Sequence, residues 1–337
     1  MALPPLSRTL AAGACLAVLA GSGYGWALAA APPPSPAGTN VLVVGSDSRA
    51  GLTREEKDRW HAGGEACRCA DVIMVVHLSA DGRRASVVSL PRDSYVPFAP
   101  HDDGEGPAAH SGKINAALQH GGPDLLMRTV ERATGLEVDH YLQARFRGFV
   151  QAVDALGGAP VCTKEPMRDE NSGIDLAPGK HHLDGGRALQ YVRTRHSGHG
   201  DIDRVRRQQR LVAGITGRQL AAGTLEDPRK LHALVGEVAR GLRPGPRTGV
   251  ADMLALAWQA RRLRLADVEF ATVPLASISH PAGEWGSAVK WNEARARTMF
   301  RRLAADRRLA PADDERGPRG GFDWTGRVAP GDRMDCD

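Results

Sequence analysis

Asp47, Asp71 and Asp93 each stand where an apolar run begins or ends, in NVLVVGSDSR, CADVIMVVHL and SVVSLPRD. Carboxylates with no cysteine–histidine partner set suit a hard cation, Mg2+ or Mn2+. The arginines gather elsewhere: six fall between Tyr191 and Arg210, in YVRTRHSGHGDIDRVRRQQR. A guanidinium fork matches phosphate oxygens in pairs, so several forks on one site fit a diphosphate better than a carboxylate. A divalent cation beside a diphosphate is the apparatus of phosphoryl transfer: it neutralises charge and aligns the attack. Taken singly, each aspartate also reads as a turn or cap residue, and Arg193 and Arg195 as surface cations. Only their combination points to chemistry.

These groups need elements to position them. Placed on a helix from Asp203 to about Leu220, the residues Arg204, Arg207, Gln208, Leu211 and Ile215 share one face. That face is polar at its start and apolar further on, which suits a charged head group with a greasy tail. It equally suits a core stripe with arginines at its mouth. Asp201 or Asp203 can cap the helix start, where free N–H groups also attract anions. In an extended stretch Arg193 and Arg195 would point the same way. NVLVVGSDSR, DVIMVVHLS and RASVVSLPRD read as strands, the last two joined by a tight turn at Ala80-Asp81-Gly82-Arg83. Phe146 to Leu156 has helical apolar spacing and ends at Gly157-Gly158, and HHLDGGRALQYVR reads as a second helix. Thr216 to Pro246 reads as helical in pieces, VEFATVPL as a strand, and WNEARARTMFRRLAAD as a helix capped by Asn292. This alternation predicts an α/β fold, a central mixed sheet covered by helices, over residues 40–305.

The remaining sequence sets the context. The 337 residues suffice for a sizeable core, and the net charge of +5 mildly favours an acidic partner. Leu10 to Ala31 carries no charge, follows Arg8 and precedes the Pro-rich linker at 32–39. Residues 1–31 therefore read as a cytoplasmic stub with a single membrane anchor, N-terminus inside, or as a signal peptide cleaved near Ala27-Leu28-Ala29. Both place the rest of the chain outside the cytoplasm, at the cell membrane or secreted. Cys67, Cys69, Cys162 and Cys336 are then expected to form disulfides, with Cys162 bridged to Cys67 or Cys69. His101 and His110 read as solvated loop residues, and His181, His182, His196 and His199 show no clear ligand pattern. Residues 306–337 are rich in proline, glycine and charge and read as a disordered tail. No helix-turn-helix, zinc finger or aromatic platform for nucleic acid is visible.

In order along the chain, GSDSR, CADVIMVV, SLPRD, KINAA, FRGFVQAVDALGG, LAPGKHHLDGGRALQYVRTR and DIDRVRRQQR resemble the LytR–CpsA–Psr family of cell-wall ligases. The resemblance covers roughly 40–215 and extends more weakly to about 305. It implies transfer of a glycan polymer from an undecaprenyl-pyrophosphate carrier to the C6 hydroxyl of N-acetylmuramic acid in peptidoglycan, at the membrane and without nucleic acid. By the same resemblance Asp47 and Asp71 hold Mg2+ (or Mn2+), and Arg92, Arg193, Arg195, Arg204 and Gln208 bind the pyrophosphate. Arg49, Asp93, Lys113 and Arg207 support them, and Asp93 is the candidate proton acceptor. Leu90 replaces a more usual isoleucine, the loop between Arg195 and Arg204 is one residue shorter than the common form, and Cys-x-Cys before Asp71 is a local variation. Water in place of the sugar would give slow pyrophosphatase activity. The rival readings are a non-catalytic binder of polyprenyl phosphate or wall on the same fold and, more remotely, a DNA-binding regulator.

Overall fold

The protein is described by a computed structural model over residues 37–64, 67–102, 107–108, 110–194, 201–245, 247–309, 328–333 and 336. The N-terminal apolar run, Arg195, His196 and His199 lie outside the described residues. Among the described residues no helix is long and apolar enough to cross a membrane.

Three apolar runs build the sheet centre: β1 (Thr39–Ser46), β2 (Ala70–Leu78) and β3 (Ala85–Ser89), each antiparallel to the next. The β2–β3 turn is held by Asp81, whose carboxylate accepts from Ser79 Oγ (2.7 Å) and from the Arg83 amide (3.0 Å). Gly82 takes φ +65° there, and a Cβ would lie 2.2 Å from the Gln259 carbonyl oxygen, so the turn needs glycine. β4 (His140–Ala144) runs parallel to β1, and β5 (Leu242–Pro244) closes that edge. β6 (Val268–Thr272) runs parallel to β3, and β7 (Ala329–Pro330) pairs beyond it. The order is β5-β4-β1-β2-β3-β6-β7, a mixed sheet.

The described helices are α1 (Arg54–Arg59), α2 (Ala117–Thr134), α3 (Phe146–Ala155), α4 (Gly185–Arg193), α5 (Asp201–Ala221), α6 (Pro228–Gly241), α7 (Val250–Gln259) and α8 (Glu293–Ala304). They cover both sheet faces, which is why the strands read as continuous apolar runs rather than alternating ones. Leu42, Val44, Ile73 and Val75 point one way, onto Leu126 and Val130 of α2 and Phe300 and Leu303 of α8. Their neighbours Val43 and Met74 point the other way and pack with Val212 and Ala213 of α5. The period-two alternation of side chains thus assigns each helix to a face.

Four expectations change. HHL is not the start of a helix: Gly179–Leu183 pairs antiparallel with Ala159–Thr163, and α4 begins only after Asp184, whose carboxylate accepts from the Arg187 amide at 2.8 Å. The tail is not wholly loose, because residues 328–333 return to the sheet through β7 and the short helix Gly331–Arg333. Cys162 bridges Cys336, brought back by that return, and not Cys67 or Cys69, which pair with each other. His101 and His110 are not solvated; their rings pack against Phe98 and each other.

Candidate active site

The sheet register brings the acids together. β1 leaves the sheet at a bulge after Gly45, where Ser46 pairs with Ala70, so Asp47 and Asp71 emerge from neighbouring strands at one end of the sheet. β3 continues past its end: the Leu90 amide donates to the Ile73 carbonyl at 2.9 Å, and Pro91-Arg92-Asp93 then runs along the first residues of β2. Arg92 Nη1 consequently donates to Asp71 Oδ1 at 2.6 Å, while Arg92 Nε lies 3.5 Å from Asp93 Oδ2 and 3.6 Å from Asp201 Oδ1. Asp201 in turn holds Arg204 Nη2 at 2.7 Å. The turn after β3 is locked by Ser94, which donates to the Pro91 carbonyl (2.6 Å) and accepts from Trp291 Nε1 (2.8 Å). Beyond it Tyr95–Pro97 pairs with Ser111–Lys113, setting Lys113 Nζ 3.6 Å from Asp93 Oδ1. One continuous ionic chain therefore runs Lys113–Asp93–Arg92–Asp201–Arg204, with Asp71 on Arg92.

A second group faces it. Arg49 grips the Asp47 carboxylate with Nε (3.1 Å) and Nη2 (3.0 Å), and its Nη1 donates to the carbonyls of Gly63 and Gly64. Arg193 Nη1 donates to the Trp60 and His61 carbonyls, both at 3.1 Å, and its guanidinium lies 4.9 Å from the centre of the Phe146 ring. The loop after α1 thus orients two arginines through backbone oxygens. Burial holds the Asp47 carboxyl above the ordinary carboxylate range; Arg49 opposes this, Asp71 reinforces it and Arg193 opposes it. Burial also lowers the Arg193 pKa, with Asp47 opposing. Burial works against the charge on Arg92 too, but Asp201, Asp71 and Asp93 outweigh it and raise its pKa.

Helix α5 supplies the roof. Arg204, Arg207, Gln208 and Leu211 are all buried and Ile215 packs at the margin of the same core, so the shared face turns inward. Arg207 Nη2 donates to the Thr194 carbonyl at 2.6 Å, and Thr194 Oγ1 donates to buried Asp169 at 2.6 Å. Gln209 anchors the helix over the ends of β3 and β6, donating to Ser89 Oγ and the Ala271 carbonyl, each at 2.9 Å. Gly214 lets the helix close on its neighbour: a Cβ there would meet the Pro160 carbonyl oxygen at 2.1 Å. Arg193 ends helix α4 instead of lying in an extended stretch, so its alternation with Arg195 does not set its direction.

Of the residues singled out in the sequence, the structure joins Asp71, Arg92, Asp93, Lys113 and Arg204 in one network and Asp47, Arg49 and Arg193 in an adjacent group. Two contributors do not stand out in the sequence as site residues. Asp201 has the look of a helix cap, though its i,i+3 spacing from Arg204 marks an ion pair. The carbonyls of Trp60 to Gly64 leave no signal in side-chain types. As for a cation, two carboxylates whose charges disfavour each other, beside arginines suited to phosphate, would suit Mg2+, a hard ion that takes oxygen ligands. Among the described residues no group of three histidines, cysteines or acids is in place to hold a metal by protein ligands alone.

A mixed α/β domain that gathers arginines, a lysine and carboxylates at one sheet end has the make-up of a protein handling phosphorylated ligands. The sequence model described as the LytR_cpsA_psr family matches residues 32–302, and the chain belongs to that family. It is 38% identical over 268 residues to the probable cell wall biosynthesis protein LcpB of Corynebacterium glutamicum, covering 78% of this chain and 60% of that one. It is 34% identical over 283 residues to the cell wall biosynthesis protein LcpA of the same organism, covering 74% and 52%. The chain thus spans just over half the length of these relatives. Its fold is shared with Bacillus subtilis TagT, solved bound to LI-WTA, with a TM-score of 0.57 and 22% identity over 80% of this chain and 90% of that one.

Proposed function

We propose that the protein is an extracytoplasmic phosphotransferase that moves a glycan polymer from a polyprenyl-diphosphate carrier to the C6 hydroxyl of peptidoglycan N-acetylmuramic acid. The observation that carries this reading is the convergence of Asp71, Arg92, Asp93, Lys113, Asp201 and Arg204 into one ionic network beside Asp47, Arg49 and Arg193. The cell-wall roles named for LcpA and LcpB, and the LI-WTA bound by TagT, support it.

In this reading the diphosphate is bound by Arg195 and Gln208, with Arg207 in support, and by Arg92, Arg193 and Arg204. Their guanidinium groups are already oriented by carboxylates and carbonyls, so little reorganisation accompanies binding. Asp47 and Asp71 would hold Mg2+, which supplies charge neutralisation at the diphosphate when bound. Asp93, placed between Lys113 and Arg92, takes the proton from the attacking sugar hydroxyl. The polyprenyl monophosphate leaves, and a phosphodiester joins polymer to wall. The N-terminal apolar run anchors the domain at the membrane, or is cleaved to release it.

The test is reconstitution. The purified chain, a polyprenyl-diphosphate glycan, Mg2+ and a peptidoglycan fragment are combined, and the products read by mass spectrometry. A phosphodiester-linked glycan on muramic acid is expected, lost in Asp71→Asn. Tight binding of the lipid with neither transfer nor hydrolysis would leave a non-catalytic binder.

A further inference from the structure

Outside the ionic network, three imidazoles crowd one spot beside the strand that carries Lys113. The ring centres of His101 and His110 are 5.1 Å apart, and His120 stands 6.3 Å from each. All three surround the fully buried Phe98, at 5.9, 5.0 and 6.2 Å, and Trp285 lies 6.3 Å from His120. His101 and His110 bracket one loop, and the Phe98 amide donates to the His110 carbonyl at 2.9 Å. His120 comes from helix α2.

The tautomer of His101 is fixed by its partner. Its Nδ1 lies 3.0 Å from the Ala99 carbonyl, which can only accept, so Nδ1 carries the proton. The Nε2 atom of the neutral ring then presents a lone pair, and that atom is buried with no hydrogen-bond partner among the described residues. A ring N–H given to a backbone carbonyl, with the opposite nitrogen left open, is how metal-ligating histidines are held. A buried acceptor left unmade costs about 1–3 kcal/mol, so it calls for an explanation.

We propose that His101, His110 and His120 form a transition-metal site, best fitted by Zn2+, separate from the Asp47–Asp71 pair. With metal–nitrogen bonds of about 2 Å, imidazoles on one tetrahedral ion have ring centres about 5 Å apart. His101 and His110 already stand at that spacing. Among the described residues no three such side chains stand ready to hold a metal ion, so the site needs one of the rings to reorient. His120 is exposed on α2, and its ring is the one that would have to change rotamer to join the other two. Imidazole donors select zinc, copper or nickel over Mg2+, and the apolar wall of Phe98 and Trp285 shields the ion on one side. The bound ion would fasten the paired segments His101–Asp102 and Pro107–Ala108 to α2 and steady the strand Ser111–Lys113, which sets Lys113 against Asp93.

The test uses the full chain without a polyhistidine tag, stripped with EDTA and titrated with Zn2+ under excess Mg2+, which occupies the carboxylate site. One Zn2+ per chain is expected. His120→Ala should weaken its binding at least about tenfold, since even residues behind a metal ligand typically contribute that much. His181→Ala, on a distant exposed strand, should leave it unchanged. Co2+ in place of Zn2+ should give visible absorption of a tetrahedral nitrogen site in the wild type and lose it in His120→Ala. Thermal melts without metal verify that the variant folds. No binding under excess Mg2+, or equal affinity in folded His120→Ala, would overturn the proposal.

Discussion

Arg92→Gln strips one guanidinium from among three carboxylates. Its hydrogen bond to Asp71, 2.6 Å long with side chains 22% and 26% exposed, is charge-assisted and partly shielded. Such a bond contributes about 1.5–3 kcal/mol. The contacts to Asp93 and Asp201, at 3.5 and 3.6 Å, are looser and more screened, each of the order of 0.2–1 kcal/mol. The variant should therefore lose about 3 kcal/mol near neutral pH, a fall in Tm of roughly 4–5 °C for a chain of this size. Millimolar Mg2+ should stabilise the variant more than the wild type, because Asp71 no longer shares its charge with Arg92. Differential scanning fluorimetry near neutral pH, with and without Mg2+, reads both effects. A Tm within about 2 °C of wild type near neutral pH, or equal stabilisation of both proteins by Mg2+, would refute the reasoning that links Arg92 to these acids.

His77 is fully buried between Asn40 (2.9 Å) and Asp306 (3.1 Å), and burial lowers its pKa despite Asp306. The unfolded chain then binds the extra proton first, so this contribution is complete above about pH 6.5 and is lost as pH falls toward the depressed native value, with a slope of at most ~1.4 kcal/mol per pH unit; urea unfolding from pH 5 to 7.5 should show that slope in the wild type and not in His77→Asn. Cys336→Ser should destabilise the chain by about 5 kcal/mol in the chain-entropy account, given the separation of 174 residues, whereas Cys67→Ser with Cys69→Ser should cost far less; non-reducing peptide mapping and chemical unfolding check both.

Much of the sheet is legible in the sequence because its strands are buried on both faces and carry dense Val, Ile and Leu, and the β2–β3 turn announces itself in Asp81-Gly82. The inward face of α5 is legible from spacing alone, since Arg204, Arg207, Gln208 and Leu211 follow helical periodicity. What stays hidden depends on contacts distant in sequence. Arg193 closes the helix expected in HHLDGGRALQYVR, but its direction comes from the Trp60 and His61 carbonyls, which leave no mark in the sequence. Asp201 serves both as the first residue of a helix and as a bridge to Arg92, and only the fold brings Arg92 to it. Cys162 finds Cys336 because the chain end pairs with β6, a return that its proline- and glycine-rich composition gives no hint of. His101, His110 and His120 have no motif spacing, and a hairpin and a helix must meet before they form a group.

The central claim is that the arginines at this sheet end read a diphosphate. Isothermal titration of the purified chain, with Mg2+, against a short polyprenyl diphosphate and the matching monophosphate tests it most directly. The diphosphate should bind at least about tenfold tighter, the worth of one charge-assisted fork. Arg204→Lys should erase most of that difference, because a point charge cannot reproduce the fork. Equal affinity for the two lipids, or an undiminished preference in Arg204→Lys, would contradict the account.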